Sequence, residues 1–250
     1  MQQEIPLSGG NASAGVVRVG ETVRKPWTEH SAGVLAYMRI LRERGIDLPT
    51  PLGQDTRGRM MTEFVAGPLA MNAAPLTRLQ LARVGAMVRA IHDASAGLDA
   101  DELGLGPSLI PVAHADLVCH GDLTPWNLLT GERWVFIDWD GAAASTRVWD
   151  LAYSAQAFAL NDATADPRRA AEDLRAFVDG YEADAALRAE LAEVLPRRAW
   201  AMHDLLQTAH RDGREPWGSM YADFHGAHWR GVARFLDEHS TMWVDALTTR

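Results

Sequence analysis

The period of the hydrophobic positions changes near residue 66. Before that point apolar residues come in short β-branched runs. Val16-Val17-Arg18-Val19 and Thr22-Val23-Arg24-Lys25 flank Gly20-Glu21, a pattern that predicts a hairpin. The stretch from Thr28 to Arg44 carries Val34, Leu35, Met38 and Leu41 at helical spacing, with Gly45 as its stop. Leu48-Pro49-Thr50-Pro51-Leu52 reads as a turn or extended connector, and Arg59 to Val65 as one more strand. Ala66-Gly67-Pro68 ends that strand and marks the boundary between two parts of the chain, residues 1–66 and 67–250. Beyond it the pattern is mostly helical. Leu76 to His92 places Leu79, Val84, Met87, Val88 and Ile91 on one face, residues 97–116 read as loop, and helices are predicted over 147–160, 168–183, 186–211 and 219–239. Two short apolar runs interrupt this part. Leu117-Val118-Cys119 predicts a strand, and Leu128-Leu129-Thr130 with Trp134 to Ile137 predicts a second hairpin around Gly131-Glu132-Arg133. Strands first and helices second make an α+β chain.

Composition narrows the function. Among 250 residues, 33 acidic against 24 basic groups leave a formal charge of −9, a poor basis for binding nucleic acid, whose phosphates need a basic face. An acidic surface suits a cationic small ligand or a metal complex. The single cysteine, Cys119, allows no internal disulfide and reads as a packed strand residue. No basic and apolar leader and no run of 18 apolar residues is found, so a cytoplasmic chain without a membrane span is expected. Lys25 is the one lysine among the 24 basic residues. A compact ammonium serves phosphate as a point charge where a planar guanidinium fork does not fit.

The densest chemistry lies between residues 120 and 140: His120-Gly121-Asp122-Leu123-Thr124-Pro125-Trp126-Asn127, then the hairpin, then Ile137-Asp138-Trp139-Asp140. Asn127 just precedes the hairpin's first strand and Asp138 just follows its second, so both side chains fall at one end, with Asp122 on the entering loop. Carboxylate and amide oxygens gathered at one point suit a hard cation such as Mg²⁺.

The Asp-x₄-Asn spacing and the aspartate after the hairpin are those of a kinase catalytic centre. In the form His-Gly-Asp-Leu-x₃-Asn followed by Ile-Asp-Trp-Asp, with Trp149-Asp150-Leu151-Ala152 after it, the chain resembles the aminoglycoside phosphotransferase and choline kinase-like family. The resemblance is strongest over 117–152. It implies a two-lobed protein-kinase-like fold, with a small β-rich nucleotide lobe over 1–66, a hinge at 62–68, and a larger helical catalytic lobe over 67–250. It further implies Asp122 as the catalytic base, Asn127 and Asp138 as Mg²⁺ ligands, and Lys25 on the phosphates of ATP, with GTP as the alternative nucleotide. The loop of Ser8, Gly9, Gly10 and Asn11 would cover those phosphates, and Glu63 to Val65 would hold the base by backbone groups. His120 would brace the catalytic loop and Asp150 would fix it from below. The acceptor is expected to be a small hydroxyl compound, cationic in character.

Departures shape this expectation. Gly121 stands where protein kinases carry arginine, Asp138-Trp139-Asp140 replaces Asp-Phe-Gly, and no Ala-Pro-Glu segment follows, all of which fit a small-molecule kinase. The helix after Lys25 offers Val34 and Leu35 where an acidic partner for the lysine is expected, and Glu29 lies about a turn too early. Asp140 reads either as a second metal ligand or as a support behind the first. Trp200, Trp217, Trp229 and Trp243 read as pocket lining or as core, and the histidines at 203, 210, 225 and 228 form no zinc spacing. Two other functions fit parts of the pattern. A metal-dependent hydrolase would ligate its ion through His120, Asp122 and Asp138 and needs further clustered ligands. A non-catalytic nucleotide-binding module would lose the base or a metal ligand, whereas all three are present.

Overall fold

The computed structural model describes residues 3–7 and 15–249. Among these the chain opens with β1 (Glu4–Pro6), β2 (Val17–Val19) and β3 (Thr22–Lys25), followed by helix α1 (Ser31–Glu43), β4 (Pro51–Gln54) and β5 (Met60–Glu63). The five strands form one antiparallel sheet in the order β1-β2-β3-β5-β4. The expected hairpin is β2–β3, paired Val17 with Arg24 and Val19 with Thr22. The expected connector over 48–52 instead enters the sheet as β4. Its edge position explains this, since Pro51 cannot donate to a ladder and is tolerated only where one side is unpaired. A bulge between Pro51 and Gly53 lets the strand continue. Helix α1 buries Val34, Leu35, Tyr37, Met38 and Leu41, the predicted face plus one tyrosine.

The chain forms two compact units, residues 1–75 with 91–145 and residues 76–90 with 146–250. The first unit holds the five-stranded sheet, α1, the short helix α3 (Ala100–Leu103) and two small antiparallel pairs. These pairs are β6 (Leu117–Cys119) with β9 (Ala143–Ser145), and β7 (Leu128–Thr130) with β8 (Trp134–Phe136). Helix α3 lies in a stretch expected to be loop; Asp99 caps it by accepting from the backbone N–H groups of Asp101 and Glu102. Helix α2 (Arg78–Ala94) begins in the second unit and ends in the first. Its buried face runs through Leu81, Val84, Val88 and Ile91, while Leu79 is 83% exposed. The helix starts at Arg78, and the i, i+3, i+7 rhythm from Leu81 leaves Leu79 on the opposite side.

The second unit is helical: part of α2, then α4 (Arg147–Ala159), α5 (Pro167–Tyr181), α6 (Ala185–Asp212), α7 (Trp217–Met220), a π turn over Tyr221–His225, α8 (Gly226–Glu238) and α9 (Ser240–Thr248). Thr146, Asp166 and Asp184 cap α4, α5 and α6 through their side-chain oxygens, which is why these helices start where they do. At Gly85 and Gly180 the backbones of α2 and α5 touch. A Cβ on Gly180 would lie 1.9 Å from the Ala82 carbonyl oxygen. Trp229 and Trp243 are buried in this helical core, and Trp200 donates to Asp237. Among the described residues no helix is long and apolar enough to cross a membrane.

Candidate active site

The catalytic-loop candidates all lie in the first unit. Strand β6 ends at Cys119, and the chain turns at Gly121, where φ is +82°. A Cβ there would sit 2.7 Å from the Gly141 carbonyl oxygen in a left-handed backbone, so the position admits little but glycine. His120 is fully buried and holds the turn from both sides. Its Nδ1 accepts from the backbone N–H of Asp122 at 3.2 Å, so Nε2 carries the proton and donates to the Ile137 carbonyl, also at 3.2 Å. The ring packs on Trp139 at 4.4 Å between centroids. The bracing role expected for His120 therefore has a definite geometry. With both ring nitrogens engaged, His120 is not available as the metal ligand that a hydrolase reading needs.

Asn127 and Asp138 fall at the same end of the β7–β8 hairpin. The ladder pairs Leu128 with Phe136, and one step further the Ile137 N–H donates to the Asn127 carbonyl at 2.9 Å. Asn127 is buried, and its Nδ2 donates to Asp122 Oδ2 at 2.7 Å and to the Asp122 carbonyl at 3.1 Å. That commitment leaves the Asn127 amide oxygen for another partner. Asp122 Oδ2 also accepts from the Trp126 indole N–H at 3.2 Å. The other oxygen, Oδ1, is shielded and has no hydrogen-bond partner among the described residues. Burial raises the Asp122 carboxyl to a pKa of about 6. The bonds from Trp126 and Asn127 pull it down, and the nearby charge of Asp138 pushes it up. A carboxylate with one oxygen anchored, one oxygen bare and a raised pKa is suited to taking a proton.

Asp138 sits in the left-handed region at φ +61°, ψ +64°, a conformation that aspartate tolerates better than most residues. It leads into a short 3₁₀ turn over Trp139–Gly141, which Trp139 fixes by its burial and by donating from its indole to the Phe136 carbonyl at 3.0 Å. Lys25, at the end of β3, reaches this turn across 113 residues of sequence. Its ammonium lies 2.7 Å from Asp140 Oδ2 and 3.3 Å from Asp138 Oδ1. Burial alone would lower the lysine's pKa; Asp140 first and Asp138 second outweigh that and raise it above its ordinary value.

Ser8, Gly9, Gly10 and Asn11, expected over the phosphates, lie outside the described residues. Glu63 closes β5, where its backbone N–H donates to the Thr50 carbonyl, and Val65 lies two residues further on, half-buried. The Glu63 carboxylate accepts from Thr50 and pairs with Arg133 of the β7–β8 turn. Burial works against its charge, but these bonds prevail and hold its pKa below the ordinary value. Nearby, the Pro68 carbonyl accepts from the Thr130 N–H, so the segment after β5 is strapped to the hairpin that carries Asn127 and Asp138. Asp150 is buried in the first turn of α4. Trp126 joins the site without any signal in the sequence. An indole in a loop reads as packing, and only its contact with Asp122 reveals the role.

Residues 102–184 match the family model described as the phosphotransferase enzyme family, a span that runs from α3 to α5 and contains Asp122, Asn127 and Asp138. This bears out the resemblance read from those motifs. No curated protein matches the sequence. The fold is that of small-molecule kinases with a protein-kinase-like architecture. A spectinomycin phosphotransferase solved with ADP and spectinomycin aligns with a TM-score of 0.66 at 15% identity, covering 96% of this chain and 93% of that one. Amicoumacin kinase in complex with AMP-PNP, Ca²⁺ and Ami aligns at 0.64 and 14% identity, covering 96% and 88%. Ethanolamine kinase of Plasmodium vivax aligns at 0.61 and 14% identity, covering 96% and 82%. The matched span is thus that of a phosphotransferase family, on a fold shared with kinases of small molecules.

Proposed function

We propose that the protein is an ATP- and Mg²⁺-dependent kinase of a small hydroxyl compound bearing an amino group: an aminoglycoside, an amino sugar or an amino alcohol. The observation that carries this reading is the meeting of Lys25, Asp122, Asn127 and Asp138 in one constellation, with Asp122 Oδ1 left bare. The donor set fits the metal. Asn127 retains its amide oxygen and Asp138 its carboxylate, hard oxygen ligands of the kind Mg²⁺ takes alongside substrate phosphates. A bound Mg²⁺ supplies charge neutralisation on the phosphates. Lys25 adds a positive charge at the phosphates, and Asn127 both offers its oxygen and holds Asp122 in place.

Asp122 orients the acceptor hydroxyl and takes its proton on the carboxylate. The acceptor oxygen forms a bond to the γ-phosphorus, the bond from that phosphorus to the bridging β–γ oxygen breaks, and ADP leaves with the electron pair. Catalysis is then mainly positioning and electrostatic stabilisation. Residues 1–66 with the hinge at 62–68 serve as the nucleotide lobe, with Ser8, Gly9 and Gly10 over the phosphates and Glu63 and Val65 at the base. Residues 67–250 serve as the catalytic and acceptor lobe. The net charge of −9 supports a cationic acceptor in a cytoplasmic enzyme. Spectinomycin and ethanolamine, named with two of the structural neighbours, set the range of compounds to try.

The test is ATP consumption screened over a panel of aminoglycosides, amino sugars and amino alcohols, with and without Mg²⁺. Acceptor-dependent and Mg²⁺-dependent ADP formation supports the reading; ATP consumption indifferent to every acceptor opposes it.

A further inference from the structure

We propose that Asp140 is the residue that positions Lys25 for the nucleotide, in place of the helix carboxylate this chain lacks. The inference rests on the kinase reading of the site. Lys25 is a long flexible side chain, 13% exposed, that must present its ammonium at one point, and such a chain needs an acidic brace. Helix α1 does not supply one. Its one acidic residue is Glu43, at the far end, and the buried face is apolar apart from Ser31 and the Tyr37 hydroxyl. Glu29, ahead of the helix, has a side chain 87% exposed, with the His30 imidazole 3.7 Å away. A hollow of about 430 Å³ is lined by Asp140 and by Thr28, Glu29, His30 and Val34, and the one residue that α1 itself contributes to it is a branched hydrocarbon.

Asp140 fills the gap from the opposite direction. It approaches Lys25 more closely than Asp138 does, 2.7 Å against 3.3 Å. Its backbone is held rigidly, because Trp139 beside it is buried, packs edge-on against Tyr37 at 5.8 Å and tilts against His120 at 4.4 Å. The division of labour follows from charge. A cation on Asp138 neutralises that carboxylate, weakening its hold on Lys25, and Asp140 then remains as the lysine's anionic partner. An ammonium with three donors can keep Asp140 while presenting a donor to a phosphate oxygen.

Lys25 is the chain's single lysine, so selective ¹³C labelling of lysine gives one side-chain signal that reports the surroundings of Lys25 without any turnover. The experiment records the shift of that signal on adding AMP-PNP·Mg²⁺, and the calorimetric affinity for it, in the full chain and in Asp140→Asn, with melting curves as the fold control. Asp140→Asn is expected to lose the nucleotide-induced shift of the lysine signal and to weaken nucleotide binding about 10–100-fold, the scale of a misplaced positioning group. Asp140→Glu, which keeps the carboxylate, is expected to retain most of both. An Asp140→Asn protein whose nucleotide-induced lysine shift or nucleotide affinity matches the parent overturns the proposal. If Asp140→Asn does not fold, Asp140→Glu decides: a folded Glu variant with the lysine released also overturns it. The kinase reading fails separately, by a parent protein that binds nucleotide with Lys25 held by Asp140 yet phosphorylates no acceptor.

Discussion

Asp122→Asn separates the chemistry of the site from its stability, because the same shielding serves one and costs the other. The folded protein holds the Asp122 carboxyl at a pKa of about 6, against 3.8 for an ordinary aspartate. The sign follows from proton counting. Between about pH 4 and pH 6 the unfolded chain has released this proton while the folded chain retains it, so stability falls as pH rises. The full difference amounts to about 3 kcal/mol above pH 6. The asparagine carries no charge and escapes that cost. Its amide oxygen can take the place of Oδ2 and keep the bonds from Asn127 and Trp126. Its NH₂ then occupies the shielded Oδ1 position without an acceptor, which costs about 1–2 kcal/mol. The variant is therefore expected to be more stable than the parent by about 1–2 kcal/mol at pH 8, or about 3–6 °C in Tm for a chain of this size. At pH 4 the order reverses. Its kcat is expected to fall about 10²–10⁴-fold, the usual contribution of a general base, with ATP affinity nearly unchanged. The assays are urea unfolding of both proteins at pH 4, 6 and 8, kcat with a working acceptor, and ATP·Mg²⁺ calorimetry. A stability difference that does not vary with pH refutes the electrostatic argument. Near-parent kcat refutes the base assignment, and joint loss of rate and metal binding favours a hydrolase.

Trp126→Phe removes the indole donor from Asp122, and since that bond lowers the carboxyl's pKa, its loss should raise it. The acidic limb of kcat/KM is expected to move up by about one pH unit, read from a pH–rate profile. Asp138→Ala is expected to abolish the Mg²⁺-dependent part of the thermal shift given by ATP, and Asn127→Ala to reduce it less, because only the aspartate brings a full charge to the ion. Equal metal-dependent shifts in Asp138→Ala and the parent oppose that assignment. Lys25→Arg is expected to lower kcat/KM for ATP nearly as far as Lys25→Ala, since a planar fork does not replace an ammonium placed between Asp140 and Asp138. An arginine variant with near-parent activity contradicts the point-charge role.

The site is legible in the sequence where its geometry is local. A two-stranded hairpin brings its own ends together, so the spacing of Asn127, Gly131-Glu132-Arg133 and Asp138 predicts two residues at one mouth, and the ladder, extended by the bond from the Ile137 N–H to the Asn127 carbonyl, ends with both at that end. The sheet and the long helices are legible for a similar reason, since a period of 2 or 3.6 is a property of short windows. What escapes depends on distant contacts. The Lys25–Asp140 pair joins strand β3 to the turn after β8, whereas the sequence around the nearest helix offers only Glu29, which is exposed. The bond from Trp126 to Asp122 is invisible because an indole's N–H is announced by no spacing. Strand β4 reads as a connector because two prolines outweigh its pairing, which only the edge of the sheet makes possible. Leu79 is misplaced in the sequence reading because it lies five and nine residues before Val84 and Val88, roughly 140° and 180° around a helix of 3.6 residues per turn, so the full rhythm turns it to solvent.

Phosphoryl transfer itself is followed most directly by ³¹P NMR of ATP, Mg²⁺ and the best acceptor of the panel with the parent protein and with Asp122→Asn. The expected result with the parent is a new phosphomonoester signal on the acceptor growing in step with ADP, and its near disappearance with the variant. Inorganic phosphate as the sole product beside ADP, or an acceptor ester formed equally well by Asp122→Asn, would contradict the account.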